Sequence, residues 1–434
     1  MIVEYIKNKL KTSFGKDVLY TLLGQIAVMI CLLIVTKVLS NNLTIDGFAQ
    51  YNIIKRSSSV IAFVLLGGMG IALPRYLAIS RVARNAKKVR ITIITSLTYI
   101  FIISLSTLLV YILLKSILCK IVTDSTSWNA YLWIFAYSFA CSITSFFYAY
   151  LRGLDRFKDF NIIQILINII LLAPLLSSNY DAIDIFKSWT IIYILLIVIL
   201  LFREFKIYNK IHISAITRFE YLSKFKELSI YSSSRMIGDF FLFAFSAFPL
   251  LYISKENSLI EVSYFSVGIT IFTLATPIFS FLGVILLPLV SRLMTENRYN
   301  EANYMIKKLQ TIYLIIALLI TIIFVCGIKT LIVVFFSPEY LPAASISKIL
   351  IFSILPSSLY YLYRNPIDAA SVFPYNLIIL VFCFALLVVG FIISKTLIQY
   401  AYVYLATTIA QGFLSWLAWK KINKSFKNNQ LSKL

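Results

Sequence analysis

Residues 46–75 read DGFAQYNIIKRSSSVIAFVLLGGMGIALPR, and the class of fold turns on this stretch. The run from Phe48 to Leu73 is long enough to cross roughly 30 Å of hydrocarbon as a helix. Its middle, however, is Lys55-Arg56-Ser57-Ser58-Ser59. Successive residues point about 100° apart on a helix, so five polar residues in a row wet every side of that turn. A cation near the middle of a spanning helix costs about 2.5–3.5 kcal/mol to insert. Such residues need a wet cavity or a partner, and they are the best pointers to function.

Apolar stretches of about 20 residues recur on both sides of this one. They fall at 18–39, 48–73, 91–114, 129–151, 160–178 and 185–202, then at 229–252, 262–287, 310–335, 346–364, 375–394 and 398–419. Of 434 residues, 60% are hydrophobic and 13% charged, with a mean hydropathy of +0.88. A soluble domain carries about a quarter charged residues. Soluble enzymes, nucleic-acid-binding proteins and disordered tails are therefore excluded. The expected fold is an all-α polytopic membrane protein with about twelve transmembrane helices.

The excess of 40 Lys and Arg over 18 Asp and Glu marks sidedness rather than nucleic acid. With the N-terminus inside, cytoplasmic segments hold 29 of the 40, outer loops and helix ends hold eight, and Lys55, Arg56 and Arg235 fall inside spans. Both termini are expected in the cytoplasm. The layout is a basic amphipathic segment at 1–17, read as interfacial and uncleaved, then a six-helix bundle at 18–202. A cytoplasmic linker at 203–228, a second six-helix bundle at 229–419 and a basic tail at 420–434 follow.

An internal repeat supports two halves. Asp46 and Glu261 are 215 positions apart, Pro74 and Pro288 214, Arg152 and Arg364 212, and Asp155 and Asp368 213, against a half-length of 217. Each half has an even number of spans. The expectation is two bundles related by a pseudo-two-fold axis along the membrane normal, facing each other across a central cavity.

Lys55 lies about seven residues, or roughly 10 Å, below the outer end of its span. It either snorkels to the surface or lines a polar cavity; Arg56 and the three serines cannot all snorkel with it. Arg235 sits about six residues in from the cytoplasmic end of the seventh span, with Asp239 four residues on along the same face. Two readings stay open: a structural i,i+4 ion pair, or a cavity-facing Arg235 tuned by an Asp239 that changes protonation. Lys37, closing the first span, and Arg75, closing the second, read as snorkelling anchors or as gate residues extending a positive track. Carboxylates are nearly absent from the spans, so an anionic substrate is favoured, and phosphate groups suit Arg and Lys well.

Other features are structural or missing. The abundant Tyr and Phe, as in Tyr360-Tyr361-Leu362-Tyr363 and Phe146-Phe147-Tyr148, read as interfacial belts and packing, with some available to stack on sugar rings. Pro174, Pro249, Pro277 and Pro356 interrupt helices, and Gly67-Gly68-Met69-Gly70 softens the second. Five cysteines without a CxxC pair, and a single histidine, His212, argue against disulfides, metal sites and His-dependent catalysis. No phosphate-binding glycine loop is present. No cofactor, no metal and no catalytic residue is expected.

Asp46-Gly47-Phe48-Ala49-Gln50-Tyr51 and Gly67-Gly68-Met69-Gly70-Ile71-Ala72-Leu73-Pro74-Arg75-Tyr76 resemble the opening pattern of a known family. The likeness continues through Leu151-Arg152-Gly153-Leu154-Asp155-Arg156-Phe157 and Glu261-Val262-Ser263-Tyr264-Phe265-Ser266-Val267. It extends to Leu287-Pro288-Leu289-Val290-Ser291-Arg292 and Phe336-Ser337-Pro338-Glu339-Tyr340. The family is the bacterial O-antigen and polysaccharide flippases of the multidrug/oligosaccharidyl-lipid/polysaccharide exporter superfamily. The resemblance implies a multi-pass inner-membrane transporter that moves an undecaprenyl-pyrophosphate-linked oligosaccharide repeat unit across the membrane by alternating access. It also implies a cationic cavity, for which Lys55, Arg56 and Arg235 are the candidates. Partners implied are membrane lipids, a polysaccharide polymerase and a chain-length regulator. Family members often carry an Asp later in the seventh helix, where this chain has Ala247-Phe248-Pro249; a coupling role inferred from that Asp does not carry over directly, and Asp239 is a candidate substitute.

Two alternatives stand beside the flippase. A multidrug or cation antiporter of the same superfamily requires core carboxylates. A membrane-embedded polysaccharide polymerase requires a large outer loop, and the outer loops here look shorter than about 20 residues.

Overall fold

In the computed structural model of the chain, residues 13–82, 85–115, 128–177, 180–208, 216–279, 298–371 and 373–431 are described, with isolated positions between 286 and 296. The interfacial segment over 1–12, the 209–215 part of the linker with His212, and residues 287–289 with Pro288 lie outside the described residues. Every regular element among the described residues is helical. The chain splits into two compact units, Met1–Ala247 and Phe248–Leu434.

The first unit contains α1 (Ser13–Asn42), α2 (Ile45–Leu66), α3 (Met69–Val82), α4 (Ala86–Leu113), α5 (Trp128–Gly153), α6 (Phe157–Ile170) and α7 (Ala182–Tyr208). It also takes α8 (Arg218–Glu256) as far as Ala247. The second unit takes the end of α8, then α9 (Leu259–Leu274), α10 (Tyr299–Cys326) and α11 (Ile328–Phe335). After these come α12 (Ala344–Ile351), α13 (Ile354–Ala370), α14 (Tyr375–Ile393) and α15 (Leu397–Leu431).

Among the described residues, ten helices are long and apolar enough to cross a membrane, and eleven spans result if the pair 338–351 and 354–370, bent by 45°, counts as one. The twelfth expected span, 398–419, is helical within α15 but less apolar, because Thr407, Thr408, Gln411 and Ser415 punctuate it. Several expected boundaries move. Arg75 does not close the second span, since α3 runs on to Val82. The linker 203–228 is mostly helical, with α7 reaching Tyr208 and α8 starting at Arg218. The 420–434 tail continues α15 to Leu431.

Polarity is arranged for lipid rather than water. On α4, Thr92, Thr95 and Ser96 are buried, each hydroxyl donating to the carbonyl four residues back at 2.7–2.8 Å. Phe101, Leu105 and Leu109 of the same helix are exposed. Such local bonds satisfy hydroxyls where water cannot reach. In the first unit α5 is central, packing on α2, α3 and α7. In the second, α15 packs on α13 and α14, and α9 on α12.

One clasp ties α4 to α5. Tyr111 and Tyr131 stack at 3.9 Å with an interplanar angle of 9°. The Tyr111 hydroxyl donates to the Tyr131 carbonyl at 2.9 Å, and the Tyr131 hydroxyl to the Tyr111 carbonyl at 2.6 Å. Both rings are buried. Tyr131→Phe keeps the stack and deletes one hydrogen bond, so a loss of about 1 kcal/mol is expected. Thermal unfolding in detergent reads it, and adding Tyr111→Phe should lower the midpoint again.

Candidate functional site

The second span is two helices with a designed break. Thr44 caps α2 by accepting a bond from the Gly47 amide at 3.1 Å, and Gly67 ends it at φ +56°. Gly68 follows at φ +76°, and α3 restarts at Met69. Lys55 and Arg56 therefore sit in the middle of α2, half-buried, while Ser57 and Ser58 are buried.

Around them the first unit builds an aromatic and polar lining. The Lys55 ammonium lies 5.4 Å from the centroid of the Tyr51 ring. Tyr51 stacks on Phe186 at 5.7 Å and meets the edge of Trp189 at 6.1 Å. Tyr137 packs on Phe186 at 4.9 Å, and the hydroxyls of Tyr137 and Tyr193 lie beside the Cys141 thiol. The hydroxyls of Tyr51, Ser57 and Ser58 are buried and find no hydrogen-bond partner among the described residues. Most buried polar atoms in proteins are satisfied, so three unmatched hydroxyls beside two cations mark a place suited to a polar ligand.

Arg75 and Arg235, far apart in sequence, come together. The Arg75 guanidinium lies 4.6 Å from the Tyr231 ring centroid and that of Arg235 5.5 Å from the same centroid. Arg75 is exposed and Arg235 half-buried. Asp239 lies one turn further along α8, also half-buried. Lys37 stands on a different helix, near the C-terminal end of α1, half-buried. Twenty residues, with the Gly67–Gly68 break among them, separate Lys55 from Arg75.

Two parts of the site carry no sequence-level assignment. Pro74 sits inside α3 and cannot donate to the Gly70 carbonyl four residues back; Arg152 Nη2 reaches that carbonyl at 3.3 Å. The pairing was foreshadowed only by the Gly-x-x-x-Pro spacing, which frees a carbonyl. Tyr231 is the second; its spacing of four from Arg235 places the two on one helical face. Arg152 and Arg156, expected as plain cytoplasmic cations, are built into the fold. Arg156 bonds Asp159 and Glu204, and Arg81 pairs with Asp155. Among the described residues, no group of three or more His, Cys, Asp and Glu could hold a metal ion.

Solved structures share this architecture. A multidrug resistance MATE family transporter of the MOP superfamily, in its inward-facing conformation, matches with a TM-score of 0.71, at 12% identity over 95% of this chain and 96% of that one. The chain has the MATE transporter fold. The eukaryotic MATE transporter AtDTX14 matches at 0.70 with 14% identity over 96% of this chain and 98% of that one. A mutant of the Vibrio cholerae MATE transporter VcmN matches at 0.68 with 16% identity, over 97% and 98%. No protein-family model and no curated protein sequence matches the chain. The MATE fold places these helices in a multi-pass membrane protein, in agreement with the ten apolar helices. At such identities the likeness reaches the superfamily's fold and stops short of the flippase family that the motifs resemble.

Proposed function

We propose that this chain is a secondary transporter that exports an amphiphilic organic molecule by alternating access. The supporting observation is the fold: it matches both inward-facing and outward-facing structures of a multidrug resistance MATE transporter, at TM-scores of 0.71 and 0.68. On fold likeness, multidrug export stands ahead of lipid-linked oligosaccharide flipping. The Lys/Arg asymmetry supports a cytoplasmic location for both termini.

A second reading, flipping of an undecaprenyl-pyrophosphate-linked oligosaccharide, rests on a specific observation. Lys55 and Arg56 sit beside the unmatched hydroxyls of Tyr51, Ser57 and Ser58. Two cations with hydroxyl donors suit an anionic head group better than an organic cation. Proteoliposomes separate the readings. Transport of a cationic dye and leaflet exchange of a fluorescent polyprenyl-pyrophosphate glycan are measured on the same protein. Export of the dye, with Lys55→Gln/Arg56→Gln leaving it intact or faster, supports multidrug export. Exchange of the glycan lipid, cut at least tenfold by the same double substitution, supports flipping. Movement of neither would overturn the transporter reading.

A further inference from the structure

Charge in this chain is least balanced towards its C-terminus. No Asp or Glu follows Asp368, whereas Lys420, Lys421 and Lys424 stand together just beyond the apolar run of α15. All three are exposed, and none is in an ion pair with a carboxylate among the described residues. Residues three or four apart share one face of a helix, so Ile409, Phe413, Trp416, Lys420 and Lys424 form a single stripe along α15. Ile409 and Phe413 are 52% and 54% exposed. Phe413 packs on Trp416 at 5.7 Å, and the Lys420 ammonium lies 5.0 Å from the Trp416 ring centroid. The stripe therefore runs from apolar through aromatic to cationic. From Ile409 to Lys424 the helix rises roughly 22 Å, about the depth of one leaflet with its head groups. The neighbouring helix flanks the cationic end. α14 packs on α15, and the Lys421 ammonium lies 5.8 Å from the ring centroid of Tyr375, the first residue of α14. Phe373 meets that ring at 4.7 Å and is itself exposed. A ring face holds an ammonium in place and leaves its other N–H groups to acceptors outside.

We propose that this stripe binds one anionic phospholipid, its acyl chains along Ile409 and Phe413 and its phosphate at Lys420 and Lys421. Charge decides between the occupants of such a face. A second copy with the same orientation in the membrane brings its own lysines to the same depth. A zwitterionic lipid brings a choline or ethanolamine cation beside them. An anionic lipid brings a phosphate with no compensating cation, and basic residues at the membrane surface attract it. The inference goes beyond the transport reading and does not depend on which cargo is moved. The stripe and its flank lie wholly within the second unit, on helices other than those carrying Lys55, Arg56 and Arg235.

The test titrates the delipidated full chain in detergent with dioleoyl phosphatidylglycerol, dioleoyl phosphatidylcholine and inorganic phosphate. Native mass spectrometry counts bound lipid, and the thermal unfolding midpoint reports its effect. Phosphatidylglycerol should be retained as one bound molecule at concentrations about fivefold below those phosphatidylcholine needs, and it should raise the midpoint. Lys420→Gln/Lys421→Gln should abolish that preference, while Lys420→Arg/Lys421→Arg should keep it within about twofold, because the charge remains. Lys307→Gln/Lys308→Gln, which removes an exposed pair of lysines from α10, should leave it unchanged. Equal midpoints without lipid show that the variants fold. Equal retention of phosphatidylcholine, parent-like binding by Lys420→Gln/Lys421→Gln, or an equal loss in Lys307→Gln/Lys308→Gln would overturn the proposal. Displacement of the lipid by an equal concentration of inorganic phosphate would also overturn it, by assigning the lysines to a soluble anion. So would a dimer of the chain that excludes both lipids, which would give the face to a second copy.

Discussion

Gly68→Ala should remove most folded protein, with a loss of about 3 kcal/mol or more in whatever remains. Two independent costs combine at this position. Gly68 has φ +76°, a conformation that L side chains rarely adopt, at about 1–3 kcal/mol. A Cβ built there would also lie 2.3 Å from the Ser232 carbonyl oxygen and 3.1 Å from the Met236 amide nitrogen. Those are backbone atoms of α8, which cannot swing aside as the tip of a side chain can. Ser232 is buried, and its hydroxyl reaches the Met69 sulfur at 3.7 Å, so the helices touch at the break itself. Gly67→Ala should cost less: its φ is +56°, but its Cβ would meet the Tyr99 ring at 2.7 Å, and a ring can rotate. Gly238→Ala is the control. Nothing lies within 4 Å of its Cβ, and alanine in a helix gains up to about 1 kcal/mol over glycine. Yield and unfolding midpoint in detergent should rank Gly238→Ala above the parent, then Gly67→Ala, then Gly68→Ala. A Gly68→Ala protein as stable as the parent would mean that α8 does not cross there.

What the sequence reveals here follows the range of the interaction. Apolar length is local, so the spans from 18–39 to 375–394 can be read directly, and Gly67-Gly68 announces a weak point in the second. Why the break is there depends on α8, more than 160 residues away, and no pattern within the span shows it. The intramembrane charges Lys55, Arg56, Arg235 and Asp239 stand out because charge is rare in lipid. Their grouping is not legible: Arg75 and Arg235 read as separate features until Tyr231 brings them over one ring. Arg152 shows the same limit, since a carbonyl freed by Pro74 is visible in sequence and its donor is not. The end of a helix is also hard to read. Charged residues from Arg75 to Arg81 suggest a loop, yet long side chains that reach the surface let α3 continue to Val82. Substrate class is the least legible of all, because one fold can host unrelated functions and only the site distinguishes them.

Glu204→Gln should destabilise the first unit by about 2–3 kcal/mol, far more than any exposed ion pair. The Glu204 side chain is 10% exposed near the end of α7. Both its oxygens accept from Arg156 Nη1 at 2.9 Å, and Oε2 also accepts from the Tyr150 hydroxyl at 2.9 Å. Arg156 in turn donates through Nε and Nη2 to Asp159 Oδ2 at 2.9 and 2.7 Å, and Arg203 reaches the same oxygen at 2.5 Å. One guanidinium thus clips the ends of α5, α6 and α7. Removing one member of a buried pair costs about 3–5 kcal/mol because the other is left uncompensated. Here the Arg156 side chain is 24% exposed and keeps Asp159, which lowers the figure to the stated range. Gln retains one acceptor for Tyr150 and loses the charge, so the experiment separates electrostatics from shape. A double-mutant cycle with Arg156→Gln should give a coupling of about 1 kcal/mol or more, above the average near 0.6 measured between membrane helices. The pair Lys224–Glu227, with Glu227 52% exposed, is the comparison, and its cycle should give no more than about 0.5 kcal/mol. Equal couplings at the two pairs would mean that the clip is as wet as the surface. A strong coupling at Arg156–Glu204 would mean that the clipped ends of α5, α6 and α7 move as one body. Any rearrangement within the first unit, as the proposed alternating access requires, would then fall to the Gly67–Gly68 break, with the α2 cations shifting relative to the clipped ends.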